Sequence, residues 1–172
     1  MKNNLAHKEK RPVLDIPRSY LEILLSGAAL IGLITLLSLV LYYWPRLPDV
    51  VPTHFGFSGE ADAWGSKGML WILPVAALFI YFVLTGVSYF PHLYNYPWAI
   101  TAENAQRQYI FSRTFLGFLK TEIIWFFTYI EWITIQVSFG TKTGLGSSFL
   151  PVFLSTIFGT LIIYMILAGR AR

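Results

Sequence analysis

The chain has 172 residues, 55% of them hydrophobic and only 13% charged. A soluble domain carries about 25% charged residues to cover its surface, so the composition argues against one, and the length suits a single domain. The lack of cysteine excludes disulfides, Cys-ligated metal centres and thiol catalysis. The net charge of +4 does not mark a nucleic-acid binder, because the basic residues flank apolar runs instead of forming a patch with interleaved aromatics.

Four apolar runs, residues 20–43, 69–90, 115–139 and 149–168, are each near the ~20 residues that a helix needs to cross a bilayer. The expected fold is an all-α membrane protein: a basic cytoplasmic tail (1–19), then a four-helix membrane domain (20–172) with a folded extracytoplasmic loop between helices one and two. The first run follows basic residues as a signal peptide would. It is too long for that, and ends in Tyr42-Tyr43-Trp44-Pro45 instead of a small-residue cleavage site, so it is expected to stay as an anchor.

Lysine and arginine set the orientation. Lys2, Lys8, Lys10, Arg11 and Arg18 precede run one; Arg107, Arg113 and Lys120 lie between and at the edge of runs two and three; Arg170 and Arg172 end the chain. Only Arg46, Lys67 and Lys142 fall on the opposite side, so the positive-inside rule predicts both termini in the cytoplasm. Trp44, Trp71 and Trp98 fall near run ends, where indole prefers the interface. Ala28/Gly32 and Ser155/Gly159 have the small-xxx-small spacing that lets helices pack closely in lipid, a spacing that chance also produces.

The first outer loop is rich in proline (Pro45, Pro48, Pro52) and glycine (Gly56, Gly59, Gly65), and residues 50–57 alternate as a short extended segment does. A compact cap is expected. Within it His54, Glu60 and Asp62, followed by Lys67, leave three readings open. The side chains could simply tie down the loop, Lys67 pairing with a carboxylate or a lipid phosphate. They could hold a divalent metal such as zinc or manganese, or work as a general acid/base set. Or they could recognise a ligand.

On the inner side Thr101 is placed to cap the third helix, with Glu103 at the positive end of its dipole and Arg107 and Arg113 near anionic headgroups. Run three also carries two acids. Glu122 is near its cytoplasmic end, whereas Glu131 is more than two turns deeper, where a charge is costly. At ~100° per residue Thr128, Thr134 and Ser138 share its face, a polar stripe expected to point into the bundle. Lys120 is ~16 Å away along the axis and cannot pair with it. Glu131 is thus either a proton-coupling acid or hydrogen-bonded glue within the stripe. The third loop, residues 140–148, lacks phosphate-loop order and is expected to be a tight helix–helix turn.

Two segments carry a resemblance. Leu47-Pro48, Val51-Pro52-Thr53-His54-Phe55 and Gly59-Glu60-Ala61-Asp62-Ala63-Trp64-Gly65-Ser66-Lys67 resemble an uncharacterised membrane domain that also forms the N-terminal part of the SdpI-type immunity proteins of bacteria. Asn95-Tyr96-Pro97 and Glu103-Asn104-Ala105, with Arg107-Gln108-Tyr109, look like that family's second signature. The resemblance implies a bacterial inner or plasma membrane protein and, in SdpI-type proteins, immunity to a secreted toxin with signalling to a cytoplasmic repressor. The expected function is a non-enzymatic SdpI-like protein that protects the envelope or senses an extracellular peptide or lipid. The 172 residues are shorter than SdpI-type proteins, and their additional C-terminal spans are not expected among them, which leaves immunity and repressor capture open. No catalytic residues carry over. A small proton- or cation-coupled transporter using Glu131 and a metalloenzyme using His54, Glu60 and Asp62 are the alternatives. The bilayer is the expected partner, a homo-oligomer is left open, and no cofactor is expected unless a divalent metal binds.

Overall fold

A computed structural model describes residues 11–172; Lys2, Lys8 and Lys10, on which part of the orientation argument rests, lie outside them. Four α-helices, α1 (Tyr20–Tyr43), α2 (Ile72–Val87), α3 (Ala105–Ser138) and α4 (Phe149–Arg170), are joined with one antiparallel hairpin, β1 (Val50–Phe55) and β2 (Ala61–Ser66). The architecture is mostly helical instead of all-α, because the outer loop forms a sheet.

Helix α1 starts at a reciprocal cap. The Ser19 hydroxyl accepts from the Glu22 N–H at 3.2 Å, and the Ser19 N–H donates to Glu22 Oε2 at 2.7 Å, so two open donors of the first turn are satisfied together. Its buried positions Leu25, Ala29, Gly32, Leu33, Leu36 and Val40 follow the helical 3–4 spacing and face α3 and α2. Helix α2 is preceded by a 3₁₀ turn (Lys67–Trp71). Pro74 is tolerated there because it stands in the first turn of α2, where its missing N–H would have had no partner.

Among the described residues three segments are long and apolar enough to cross a membrane: Tyr20–Arg46, Lys67–Val87 and Phe149–Arg170. Residues 115–138 do form a helix, as the third run predicts, but α3 does not join that set. Its buried face carries Lys120, Thr128, Glu131 and Thr134, which lower its apolarity. At 34 residues it is about 50 Å long and packs against α1, α2, α4 and β1.

Close approach of α1 and α3 relies on Gly32, where an added Cβ would stand 3.1 Å from Ile124 Cγ2 and from Trp125 Nε1. Across that gap Thr121 Oγ1 donates to Leu25 O at 3.0 Å, Trp125 Nε1 to Ala28 O at 3.1 Å and Thr128 Oγ1 to Gly32 O at 3.1 Å. Ala28 and Gly32 therefore pack as their spacing suggests. The Ser155/Gly159 pair does not: nothing lies within 4 Å of a Cβ added at Gly159. Instead α4 meets α3 through aromatic pairs, Phe115 stacked on Tyr164 (centroids 4.5 Å apart) and Phe126 edge-to-face with Phe153 (4.9 Å).

One apolar cluster, Ala29, Leu33, Leu36, Ala77 and Ile124, fills the middle of the bundle. A second, Leu47, Val51, Leu70 and Ile135, pins the hairpin onto α3. The ladder is irregular around His54, with register shifts between Pro52 and His54 and between His54 and Phe55. The third loop is more than a turn. Leu145 N donates to Gly59 O at 2.7 Å, Glu60 bridges Gly144, and an added Cβ at Gly144 would overlap the Gly59 carbonyl. Gly59 itself has φ +82° and, with a Cβ, would meet the Gly146 backbone at 2.6 Å.

Gly32→Leu is expected to wedge α1 from α3 and cost about 2 kcal/mol or more, as overpacking does, whereas Gly159→Leu has open space and should be near neutral. Thermal denaturation of the purified protein in detergent measures both.

Candidate functional site

On the hairpin, His54 from β1 and Asp62 from β2 face one another, with Nδ1 2.6 Å from Oδ1. Their side chains remain 65% and 51% exposed, so the pair is tied but open to solvent. Gly56 leaves room for it, since a Cβ there would sit 3.0 Å from Asp62 Oδ2. Asp62 orients the imidazole through Nδ1, leaving Nε2 for a ligand. The pair edges a cavity of about 390 Å³ whose other walls include Phe55, Phe57, Leu145 and Phe149.

The remaining outer-loop candidates are not drawn in. Glu60 is exposed at the hairpin tip against Gly144. Lys67 is at the foot, 3.2 Å from Asp49 Oδ1 and over the Trp44 ring, so its expected carboxylate is Asp49. Among the described residues no group of three or more His, Asp or Glu side chains could share a metal ion.

Leu145 and Phe149 also wall a larger groove, about 520 Å³, running between α3 and α4 along Trp125, Phe126, Tyr129 and Val152 to Glu122. The Thr160 hydroxyl donates to Glu122 Oε1. A polar rim thus leads into a largely apolar trough, a layout that suits an amphiphilic molecule.

Glu131 is only 1% exposed and lines a separate pocket of about 150 Å³ beneath β1. Phe55 borders this pocket and the His54 cavity, and they share no other lining residue. The expected hydroxyl glue fails. Thr128 donates to Gly32 O and Ile124 O, Thr134 to Ile130 O and Ser138 to Thr134 O. Each hydroxyl returns to a backbone carbonyl, the usual alternative for Thr and Ser inside a helix, and Glu131 Oε1 has no partner among the described residues.

The opposite end of the bundle is organised by a residue whose role the sequence did not reveal. Glu22, the capping acid of α1, receives Arg113 of α3, with Nη2 donating to Oε2 at 3.1 Å and Nε 2.8 Å from Oε1. Arg113 also donates to Ile16 O at 2.9 Å and Pro17 O at 3.1 Å. It is buried, not at a lipid headgroup as expected. Tyr109 donates to Pro12 O at 2.9 Å, and Arg11 donates to Tyr94 O, so residues 11–19 lie along the base of α3. The only sequence signal was Ser19-x-x-Glu22, which reads as a cap and says nothing of a distant arginine.

The second signature divides. Asn104, not Thr101, precedes the first turn of α3, and the two residues bond reciprocally: Thr101 N to Asn104 Oδ1 at 2.9 Å, Asn104 N to Thr101 Oγ1 at 3.4 Å. Gln108 donates to Ala168 O at 2.8 Å, tying α3 to the end of α4. Asn95, Glu103 and Arg107 are exposed. The Thr101 hydroxyl holds the Glu103 carboxyl below its usual range, and burial pushes the Tyr94 phenol up to about 12. Lys120 is buried, donating to Thr85 Oγ1 at 3.0 Å beneath the Tyr81 ring.

Gly144→Ala should detach the third loop from the hairpin and cost about 2 kcal/mol, a typical value for a backbone clash, read as lowered thermal stability with faster amide exchange confined to residues 56–62. Glu22→Gln and Arg113→Gln should each cost about 3 kcal/mol by leaving a buried charge uncompensated, and the double variant less than their sum. Chemical denaturation of all three in detergent measures the coupling.

Comparison with known sequences falls on the cap. Residues 30–78, from mid-α1 through the hairpin into α2, match a family described only as a domain of unknown function, DUF1648. A 63-residue stretch, 37% of the chain, is 41% identical to an uncharacterized protein of Archaeoglobus fulgidus. The match spans about a third (32%) of that relative's length. No solved structure matches. The chain is a membrane protein carrying a region similar to that domain of unknown function.

Proposed function

We propose that this is a four-span protein of the bacterial plasma membrane, with both termini inside, whose hairpin cap recognises an extracytoplasmic peptide or lipid in the service of SdpI-like envelope protection, without catalysis. The observation that carries the recognition is the His54–Asp62 pair on the rim of a cavity sharing Leu145 and Phe149 with the apolar α3–α4 groove. A polar headgroup or peptide terminus suits the rim, and an acyl chain or apolar side chains suit the trough.

The placing of the two membrane interfaces has support from both ends of the bundle. At the hairpin end Arg46 lies over Tyr42, Lys67 over Trp44 and Lys142 over Trp132; at the other, Arg18 lies over Tyr89 and Arg172 over Trp98. Cations resting on aromatic rings suit membrane interfaces, where one end of the pair is wet. Between those levels α3 runs the full distance, its polar side chains turned toward neighbours and its length more than the ~30 Å of hydrocarbon.

Deleting the gene is expected to raise sensitivity to at least one membrane-active peptide or amphiphile in a broad panel. Complementation with His54→Ala or Asp62→Asn should restore protein level but not resistance. Unchanged sensitivity throughout the panel, or full rescue by both variants, overturns the proposal.

A further inference from the structure

The buried carboxyl of Glu131 takes no part in the recognition just described. An ionised carboxylate withdrawn from water is tolerated only when hydrogen-bond donors or a counter-charge compensate it. Neither is supplied. The hydroxyls sharing its helix face are committed to backbone carbonyls, and Oε1 has no partner among the described residues. Of the residues that line its pocket, Pro52, Thr53 and Phe55 come from β1, Met69, Leu70, Ile72 and Leu73 from the second span, and Ile130 and Thr134 from α3. None is titratable apart from Glu131. The cations of the neighbouring segments have other contacts: Lys67 pairs with Asp49, Lys120 donates to Thr85 and Lys142 lies over the Trp132 ring.

The surroundings also give the site a direction. Toward the Arg113 end, the helix passes Ile124 in a cluster of aliphatic side chains with Ala29, Leu33, Leu36 and Ala77, against which Leu37, Leu78, Tyr81 and Phe127 pack. Toward the hairpin there is a pocket of about 150 Å³, room for a few water molecules. Its cover is β1, whose ladder is irregular from Pro52 to Phe55, and Phe55 is the partition from the His54 cavity. The pocket is too small for the amphiphile that the α3–α4 groove suits, but it admits water and whatever water carries.

We propose that Glu131 is a proton-binding site that exchanges with the aqueous phase on the hairpin side alone, through the pocket beneath β1. The proton resides on the Glu131 carboxyl and passes to and from pocket water. The dry cluster around Ile124 blocks passage to the far side, which makes this a sided proton site and not a through-path. The proposal depends on the topology above only for calling the hairpin side the outside.

The test uses the full chain in proteoliposomes and dicyclohexylcarbodiimide, an apolar reagent for protonated carboxyls. The acid proton moves to one carbodiimide nitrogen while the carboxyl oxygen adds to the central carbon. The resulting O-acylisourea rearranges to an N-acylurea that retains the whole reagent. Peptide mass spectrometry should find one adduct on Glu131, lost in Glu131→Gln. Its rate should fall about tenfold per pH unit on the alkaline limb when pH is raised on the hairpin side, and not respond to pH on the other. Because the chain has no cysteine, a Ser58→Cys variant with an impermeant maleimide reports which face the hairpin occupies in vesicles and in cells. No adduct at Glu131 while Glu122 reacts, an adduct indifferent to pH, or one governed by the opposite side overturns the proposal. A hairpin found on the cytoplasmic face overturns the topology and leaves the proton site standing.

Discussion

Three α3 side chains, Thr121, Trp125 and Thr128, donate to the α1 carbonyls of Leu25, Ala28 and Gly32. Two helices can share hydrogen bonds in this way only if their backbones come close, and in lipid no hydrophobic driving force brings them there. Ala28 and Gly32 provide the room. With α1 held against it, α3 becomes the spine of the molecule, and the other elements are placed by what they bury on it. The hairpin is pinned through Ile135, α4 through Phe115 and Phe126, and α2 through the cluster at Ile124.

The same pair of helices is tied again at the end away from the hairpin by Glu22 and Arg113, in a different physical regime. There the charges are buried and depend on each other, so the contact specifies register more than it adds stability. The extended segment before α1 is captured by the same arginine through Ile16 and Pro17. What composition alone reads as a basic tail is, over residues 11–19, a strap fitted to the base of α3.

At the other end the cap is assembled from separate pieces of chain. The hairpin tip and the third loop meet backbone to backbone, through glycines because a side chain would not fit. That closure sets Leu145 and Phe149 opposite His54 and Asp62, and it creates the continuity between rim and trough. Beneath the same strand lies the Glu131 pocket. Phe55 separates a solvent-exposed polar pair from a buried acid whose Oε1 has no partner among the described residues.

By itself the sequence determined the membrane character, the four helices to within a few residues at most ends and the compact loop between the first two; it offered Ala28/Gly32 and Ser155/Gly159 alike, and only the first pair packs. These follow from hydropathy, from breakers such as Pro45 and Gly59, and from helical spacing, all of which are local. Tertiary structure decided which polar groups meet. It joined His54 to Asp62 but not to Glu60, gave Arg113 to Glu22 across 91 positions instead of to lipid, and turned the hydroxyls beside Glu131 back onto their own helix. It also placed α3 in the middle, where a polar face can be buried, which is why hydropathy underrates it. Partners distant in sequence are chosen by packing geometry, and no local pattern of residues encodes that choice.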